Sequence, residues 1–333
     1  MKWGLGAAIT WAFDTVILSI ALMSTTFFAT EQAIALASFT STFLHDGTSA
    51  VLMWIYNGFR RKLRKTWQLF RTKAGKLVVV AAVIGAPLGM TGYVVAINNI
   101  GAAYATAITA FFPAYGALLA HFFLKEEMRA YNWVGLVVCL VAVAVLGFNP
   151  DETVPGNWAL GVAGALVCVV GWGTEAVIIA YALRFGDADD ECCLQIRQTT
   201  SALVYAIILM PLLGGWGCTI DAFLSPAMPI IALAALLGTV SYLCYYKAID
   251  TIGAAKAMAL NISYSGWAIP IGFLLLGTIP TPTGIVCALV IIVGAIVAAT
   301  DVRELFGRSK TEVLEVAGEA DGKGVKETAV VSE

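Results

Sequence analysis

Apolar residues run along the chain in stretches of about 20 residues, separated by short polar breaks. An α-helix of about 20 apolar residues crosses the hydrocarbon core of a bilayer, which is about 30 Å thick. The pattern therefore predicts an all-α membrane protein with ten transmembrane helices. Their approximate bounds are 4–24, 32–56, 77–98, 101–124, 131–149, 157–182, 194–214, 227–249, 253–275 and 282–300. No connection between them exceeds 20 residues, so the connections leave no room for a soluble catalytic domain.

The composition agrees with this reading and excludes an ordinary soluble domain. Of the 333 residues, 59% are hydrophobic and 13% are charged, whereas soluble domains average about 25% charged residues. The net charge of -2 gives no support for nucleic-acid binding. The seven cysteines show neither disulfide nor metal-ligand spacing, and we predict no cofactor and no metal site.

The chain also contains an internal repeat. The stretch 97–103 recurs as 249–255 with five identical residues in seven, and the stretch 11–17 is echoed by 172–178. Each half contributes five helices, and because five is odd the second half enters the membrane in the opposite orientation. We therefore predict a first five-helix repeat at 1–150, a second, inverted repeat at 157–300, and a disordered cytoplasmic tail at 301–333.

Basic residues predict the orientation. If the amino terminus is cytoplasmic, all 20 Lys and Arg residues fall on the inner side, and eight of them crowd the connection after the second helix. The matching connection of the second half, 215–226, has none. This one-sided distribution follows the positive-inside rule. We expect a multi-pass protein of the cytoplasmic membrane with both termini in the cytoplasm.

Three acidic residues, Asp14, Asp46 and Glu175, fall deep inside predicted spans. A charged side chain at the centre of a membrane helix costs about 2.5 to 3.5 kcal/mol, so it usually faces a cavity or a partner. Asp14 and Glu175 each follow a tryptophan, Trp11 or Trp172, by three residues, which puts each indole and acid on one helix face. This pairing suits an organic cation, which aromatic rings attract and carboxylates neutralise. The alternative is that both acids are protonated or bonded to neighbouring polar side chains.

Aromatic and amide side chains of the second half extend the candidate site. Tyr245 belongs to a stripe of three tyrosines on the eighth span, and Asn261, Tyr264 and Trp267 lie near the middle of the ninth. Packing or an interfacial aromatic belt is the alternative for any single tyrosine. The predicted substrate-binding residues are therefore Trp11, Asp14, Trp172, Glu175, Tyr245, Asn261, Tyr264 and Trp267.

His45 and Asp46 are candidates for coupling or gating. Successive residues point about 100° apart on a helix, so we expect one to line the cavity and the other to contact a neighbouring helix. A histidine that titrates near neutral pH can relay protons, whereas a histidine that only packs is the alternative.

The chain to about residue 300 resembles the drug/metabolite transporter superfamily, whose members have ten helices in two EamA-type halves. The resemblance rests on the run 111–113, the acidic turn 125–127 and the glycine-bearing helix around Gly135; the second half departs from it, with Thr278 and Ile279 in place of the acidic turn. Within the superfamily, five segments are similar to the Lic-type bacterial choline permeases: 45–46, 172–175, 196–201, 241–246 and 255–267. Asp14 departs from that pattern, which has a glycine there.

The resemblance implies a choline-sized cation in an aromatic pocket. We therefore expect a secondary transporter that moves choline or a related quaternary or organic amine by alternating access, and not an enzyme. The alternative is a proton-coupled exporter of amino acids, drugs or other metabolites, and an intramembrane enzyme acting on lipid is less favoured. The expected partners are a small organic cation and membrane lipid, with no nucleic acid and no obligate protein partner.

Overall fold

The computed structural model describes residues 1–147, 156–186 and 188–300. Within them the chain is helical and contains no strand. The predicted tail at 301–333 lies outside the described residues. The helices are α1 (Lys2–Leu22), α2 (Glu31–Phe59), α3 (Leu63–Phe70), α4 (Lys73–Ala102), α5 (Tyr104–Leu124), α6 (Ala130–Gly147), α7 (Trp158–Phe185), α8 (Asp190–Leu212), α9 (Trp216–Phe223), α10 (Ala227–Ile252), α11 (Ala254–Leu276) and α12 (Pro282–Ala299).

Ten of these helices, counted over the described residues, have at least 18 residues, and nine of the ten are also apolar enough to span a bilayer. The exception is α2, which buries a series of polar side chains inside the protein: Thr40, Ser41, His45, Asp46, Ser49 and Asn57. Polar residues can occupy a membrane helix when they face the protein interior. The predicted all-α membrane fold is confirmed, and the segments expected as plain connections at 57–76 and 215–226 contain the short helices α3 and α9.

The two halves correspond helix by helix, α1–α6 to α7–α12. The most extensive packing of α1 is against α10, and the most extensive packing of α7 is against α4, which is the same pair after the halves are exchanged. Likewise α3 packs on α8, and the corresponding helices of the other half, α9 and α2, pack on each other. In two further pairs, α2 with α8 and α6 with α12, each helix packs on its own counterpart. Each half therefore finds its main packing partners in the other half, as an approximate two-fold relation requires.

The repeated stretch has the same backbone in both halves. Gly101, between α4 and α5, has φ 82° and ψ 161°, and Gly253, between α10 and α11, has φ 85° and ψ 164°. Only glycine adopts such a positive φ without strain. After Gly253 the carboxylate of Glu126 accepts hydrogen bonds from the backbone N–H groups of Ala254 and Ala255, so the acidic turn of the first half caps a helix of the second.

A cluster of ion pairs also ties the halves together, between the first residues of α3 and the start of α8. Lys62 Nζ lies 2.9 Å from Asp189 Oδ2 and 2.6 Å from Glu191 Oε2, and Lys65 Nζ lies 2.9 Å from Asp189 Oδ2. Partial burial opposes ionisation of Asp189, but hydrogen bonds from Lys65 and Lys62 hold the pKa of this carboxyl well below its usual range. Asp189 is therefore ionised at neutral pH.

Candidate functional site

A cavity of about 220 Å³ lies between the halves. Its wall is built from α1, α2, α4 and α5 of the first half and from α7, α8, α10 and α11 of the second. Nine of the ten residues predicted from the sequence line it: Trp11, Asp14, His45, Asp46, Trp172, Glu175, Tyr245, Asn261 and Tyr264. Trp11 and Trp172 lie near the midpoints of α1 and α7, which places the cavity halfway along the membrane helices.

Glycines allow the helices to approach the acids closely. A Cβ atom on Gly238 of α10 would lie 2.7 Å from His45 Nε2 and 3.1 Å from Asp14 Oδ2. In the other half, Gly85 of α4 faces Glu175 so closely that a Cβ atom there would overlap the carboxylate. Gly85 belongs to a π-helical turn, Ile84–Leu88, and such turns are frequent at functional sites.

His45 joins two acids. Its Nε2 atom lies 3.2 Å from Asp14 Oδ1 and its Nδ1 atom lies 3.3 Å from Asp46 Oδ1. The expectation that only one of His45 and Asp46 lines the cavity was wrong, whereas Asp46 does contact a neighbouring helix, through Arg197 and Ser201 of α8. Both residues line the cavity and both are buried.

Arg197 of α8 is the cation at the centre of the site. Its Nε atom donates to Glu175 Oε1 at 2.8 Å, and its Nη1 atom donates to Asp46 Oδ2 at 3.3 Å. Asp46 Oδ2 also accepts a hydrogen bond from Ser201 Oγ at 2.5 Å. The guanidinium lies over the ring of Tyr242, with Cζ 4.6 Å from the ring centroid. A guanidinium above an aromatic face and beside carboxylates is a favourable arrangement for a buried cation.

This position corrects the expectation that all Lys and Arg residues lie on the inner side. Arg197 is 3% exposed and sits within an apolar helix, among acids of both halves. The sequence contained the signal that was missed, since a basic residue inside the span 194–214 is as unusual as an acid there.

The charges of the site do not balance. Asp14, Asp46 and Glu175 contribute three carboxyl groups, whereas Arg197 contributes one fixed positive charge. With all three acids ionised the sum is -2 when His45 is neutral and -1 when it is protonated. In either of these charge states the cavity can accept one monovalent cation without leaving a positive charge uncompensated.

The two tryptophans are fixed by edge-on contacts with other aromatic residues. The ring centroids of Trp11 and Tyr242 are 5.1 Å apart at 82°, and those of Trp172 and Phe112 are 5.6 Å apart at 86°. Tyr264 also lies edge-on to Trp11, at 6.5 Å. Edge-to-face packing is a favoured aromatic geometry, so the rings present defined surfaces to the cavity.

Trp267 does not lie in the wall. It is one turn beyond Tyr264 on α11, where it packs against an apolar cluster that contains Ala12, Val16 and Ile271. The structure therefore leaves Trp267 out of the cavity wall, because it faces the apolar flank of α1, whereas Tyr264 touches the same cluster and also lines the cavity.

A model of the EamA-like transporter family matches residues 1–148 and 159–300. The chain is 31% identical over 221 residues to the protein LicB of Haemophilus influenzae, covering 66% of this chain and 73% of LicB. It is 23% identical over 205 residues to an uncharacterized transporter of Clostridium kluyveri, covering 58% of this chain and 64% of that protein.

A solved crystal structure shares the fold, with a TM-score of 0.64 at 16% identity, covering 89% of this chain and 95% of that one. The predicted resemblance to the drug/metabolite transporter superfamily is confirmed by the family match over both halves. Since the family consists of transporters, the prediction that the chain is not an enzyme is confirmed too. The chain belongs to the EamA-like transporter family.

Proposed function

We propose that this protein is a secondary transporter that carries choline or a related quaternary amine across the cytoplasmic membrane by alternating access. One observation carries the proposal: Trp11 and Trp172, at equivalent positions of the two halves, line one cavity in which carboxyl groups outnumber the fixed cation. The resemblance to choline permeases in segments of both halves points to the same substrate.

The chemistry of the wall favours a quaternary amine. Such a cation has no N–H group to donate, so ring faces and carboxylates must recognise it. A cation over an aromatic face gains about 0.5 to 1 kcal/mol when exposed and about 2 kcal/mol or more when desolvated. Arg197 already shows this chemistry in the cavity, since its guanidinium lies over Tyr242 and beside Glu175.

The driving force for a monovalent cation is available without a nucleotide. A membrane potential of 100 mV is worth about 2.3 kcal/mol per charge, which corresponds to roughly fifty-fold accumulation. The approximate two-fold relation between the halves supports alternating access. The packing of α1 on α10 corresponds to that of α7 on α4, and if the two halves exchange conformations, the cavity opens to the opposite side of the membrane.

The second candidate is proton-coupled export of amino acids, drugs or other metabolites. Three titratable groups in contact support it, since His45 contacts both Asp14 and Asp46. Arg197, which stays protonated, couples Asp46 to Glu175 by charge. A proton entering such a series changes the charge of the whole cavity.

Counterflow of labelled choline in proteoliposomes distinguishes the two functions. Choline inside the vesicles should drive uptake of labelled choline without a pH gradient. Trp172→Ala should abolish most of this flux, whereas Trp158→Ala, on the same helix but 57% exposed and outside the cavity wall, should retain it. On α1, Trp11→Ala should likewise abolish most of the flux, whereas Trp3→Ala, outside the cavity wall, should retain it. If wild-type protein shows no choline counterflow, or if all four variants transport alike, the proposal fails; substrate release driven by a pH gradient would then favour the exporter.

A further inference from the structure

Helix α3 carries an exposed surface that the transport site does not use. Leu63, Trp67 and Phe70 are spaced i, i+4 and i+7, and they are 37%, 56% and 42% exposed. They therefore form one apolar face that points away from the protein. Thr66 and Leu69, on another side of the helix, are buried. A short helix that turns an aromatic and aliphatic face outward is typical of one lying in the membrane interface.

Basic residues border this apolar face. Arg64 and Arg71 are seven residues apart and so lie on one line along the helix, about 100° from Leu63. Arg71 Cζ lies 4.8 Å from the ring centroid of Trp67, which fixes the cation beside the apolar face. In this region the ion pairs among the described residues are made by Arg60, Lys62 and Lys65, whereas five exposed cations form none there: Arg61, Arg64, Arg71, Lys73 and Lys76.

The corresponding helix of the other half provides an internal comparison. On α9, Trp216, Ile220 and Phe223 have the same i, i+4 and i+7 spacing and are 41%, 52% and 56% exposed. The segment 215–226 contains Asp221 and no Lys or Arg. An apolar face is therefore common to both short helices, and a location in the membrane interface accounts for it. The excess of cations is particular to α3 and calls for an anionic partner.

We propose that α3 and its flanks bind the headgroups of anionic phospholipids, with the apolar face in the acyl boundary and the cations at the phosphates. We call this the α3 surface; it consists of Arg61, Leu63, Arg64, Trp67, Phe70, Arg71, Lys73 and Lys76. Each Lys or Arg near an anionic membrane surface adds about 1 kcal/mol of attraction. The neighbouring Lys62 and Lys65 are occupied by Asp189 and Glu191, so the protein neutralises one side of this basic segment and lipid neutralises the other.

Titration of the purified full chain in a neutral detergent tests the proposal, with the melting temperature as readout. Phosphatidylglycerol should raise the melting temperature in a saturable manner, and phosphatidylcholine at the same mole fraction should not. Arg64→Gln with Arg71→Gln should require about 30-fold more phosphatidylglycerol for half of the effect. Lys2→Gln with Lys125→Gln removes the same charge from exposed residues outside the surface and should titrate like the wild type.

Three outcomes would overturn the proposal. Equal stabilisation by phosphatidylcholine would show that headgroup charge is not recognised. Equal stabilisation by inorganic phosphate would indicate a site for a free anion instead of a lipid surface. If the Arg64→Gln and Arg71→Gln double variant needed no more phosphatidylglycerol than the wild type, the α3 surface would be excluded as the binding site. If that variant melts abnormally without lipid, a second variant, Arg61→Gln with Arg64→Gln, must show the same weakened titration. It removes two cations of the surface that contact no aromatic ring within the part of the chain that the structure describes.

Discussion

Replacing Arg197 by glutamine is the sharpest test of the charge arrangement in the cavity. The Nε to Oε1 distance to Glu175 is 2.8 Å, so the attraction between the two charges is about 6 kcal/mol at an effective dielectric constant of 20. The cost of burying both charges offsets part of that, and breaking a buried pair by removing one partner typically costs about 3 to 5 kcal/mol. We therefore expect Arg197→Gln to lower the free energy of unfolding by about 3 to 5 kcal/mol.

The measurement is denaturant-induced unfolding of purified protein in detergent, and Glu175→Gln completes the comparison. In the double variant the pair is neutral, so the loss should shrink to less than half of that caused by Arg197→Gln alone. Arg184→Gln is the matched control, since Arg184 is exposed and its guanidinium donates to the Leu124 carbonyl oxygen; it should cost about 1 kcal/mol or less. If Arg197→Gln proved as stable as the control, or if the double variant were no more stable than the single one, the reasoning would be refuted.

Four further predictions concern other parts of the structure. Glu175→Gln should weaken apparent choline affinity about tenfold or more, because the cavity loses one negative charge; unchanged counterflow kinetics would exclude a role for this carboxylate. Trp172→Ala should impair transport of choline more than of ethanolamine, since a primary ammonium can still donate hydrogen bonds; equal losses in parallel flux assays would contradict this. Gly253→Ala and Gly101→Ala should each lower the melting temperature, because alanine at positive φ costs about 1 to 2 kcal/mol; two unaffected proteins would show that these breaks carry no strain. Because the pKa of Asp189 is lower in the folded protein than its unfolded value of about 3.9, its carboxylate stabilises the fold above that pH, and this stabilisation is lost as the pH falls through the folded pKa. Asp189→Asn should therefore melt lower than the wild type at pH 7 and lose less stability than the wild type below pH 4. Melting temperatures that change in parallel with pH in the two proteins would argue against this.

The fold could be predicted from the sequence because a bilayer imposes simple requirements. A span needs about 20 apolar residues, and the repeat with an odd number of helices fixes the relation between the halves. The short helices α3 and α9 escaped prediction, since eight residues are too few to show a periodicity among so many polar or aromatic neighbours. Even α2 was recognised by its length although its buried polar residues lower its hydropathy.

The candidate site was predictable as far as its acids are concerned. A carboxylate inside a membrane helix is costly, so Asp14, Asp46 and Glu175 identify themselves. What escaped prediction depends on three-dimensional contacts. The pairing of Arg197 with Glu175 joins side chains on two helices, 22 positions apart in the sequence, and the reach of the His45 ring depends on side-chain geometry. Trp267 was misplaced because spacing within α11 does not say which neighbouring helix each face meets.

The ion pair between Asp46 and Arg197 bears on how the protein is made. The two residues are 151 positions apart, and synthesis adds about 5 to 20 residues per second. Asp46 is thus translated about 8 to 30 s before its guanidinium partner exists. During that interval His45 and the polar side chains of α2 must compensate the acid among lipids. Insertion of α8 then supplies the guanidinium that pairs with Asp46 in the folded protein.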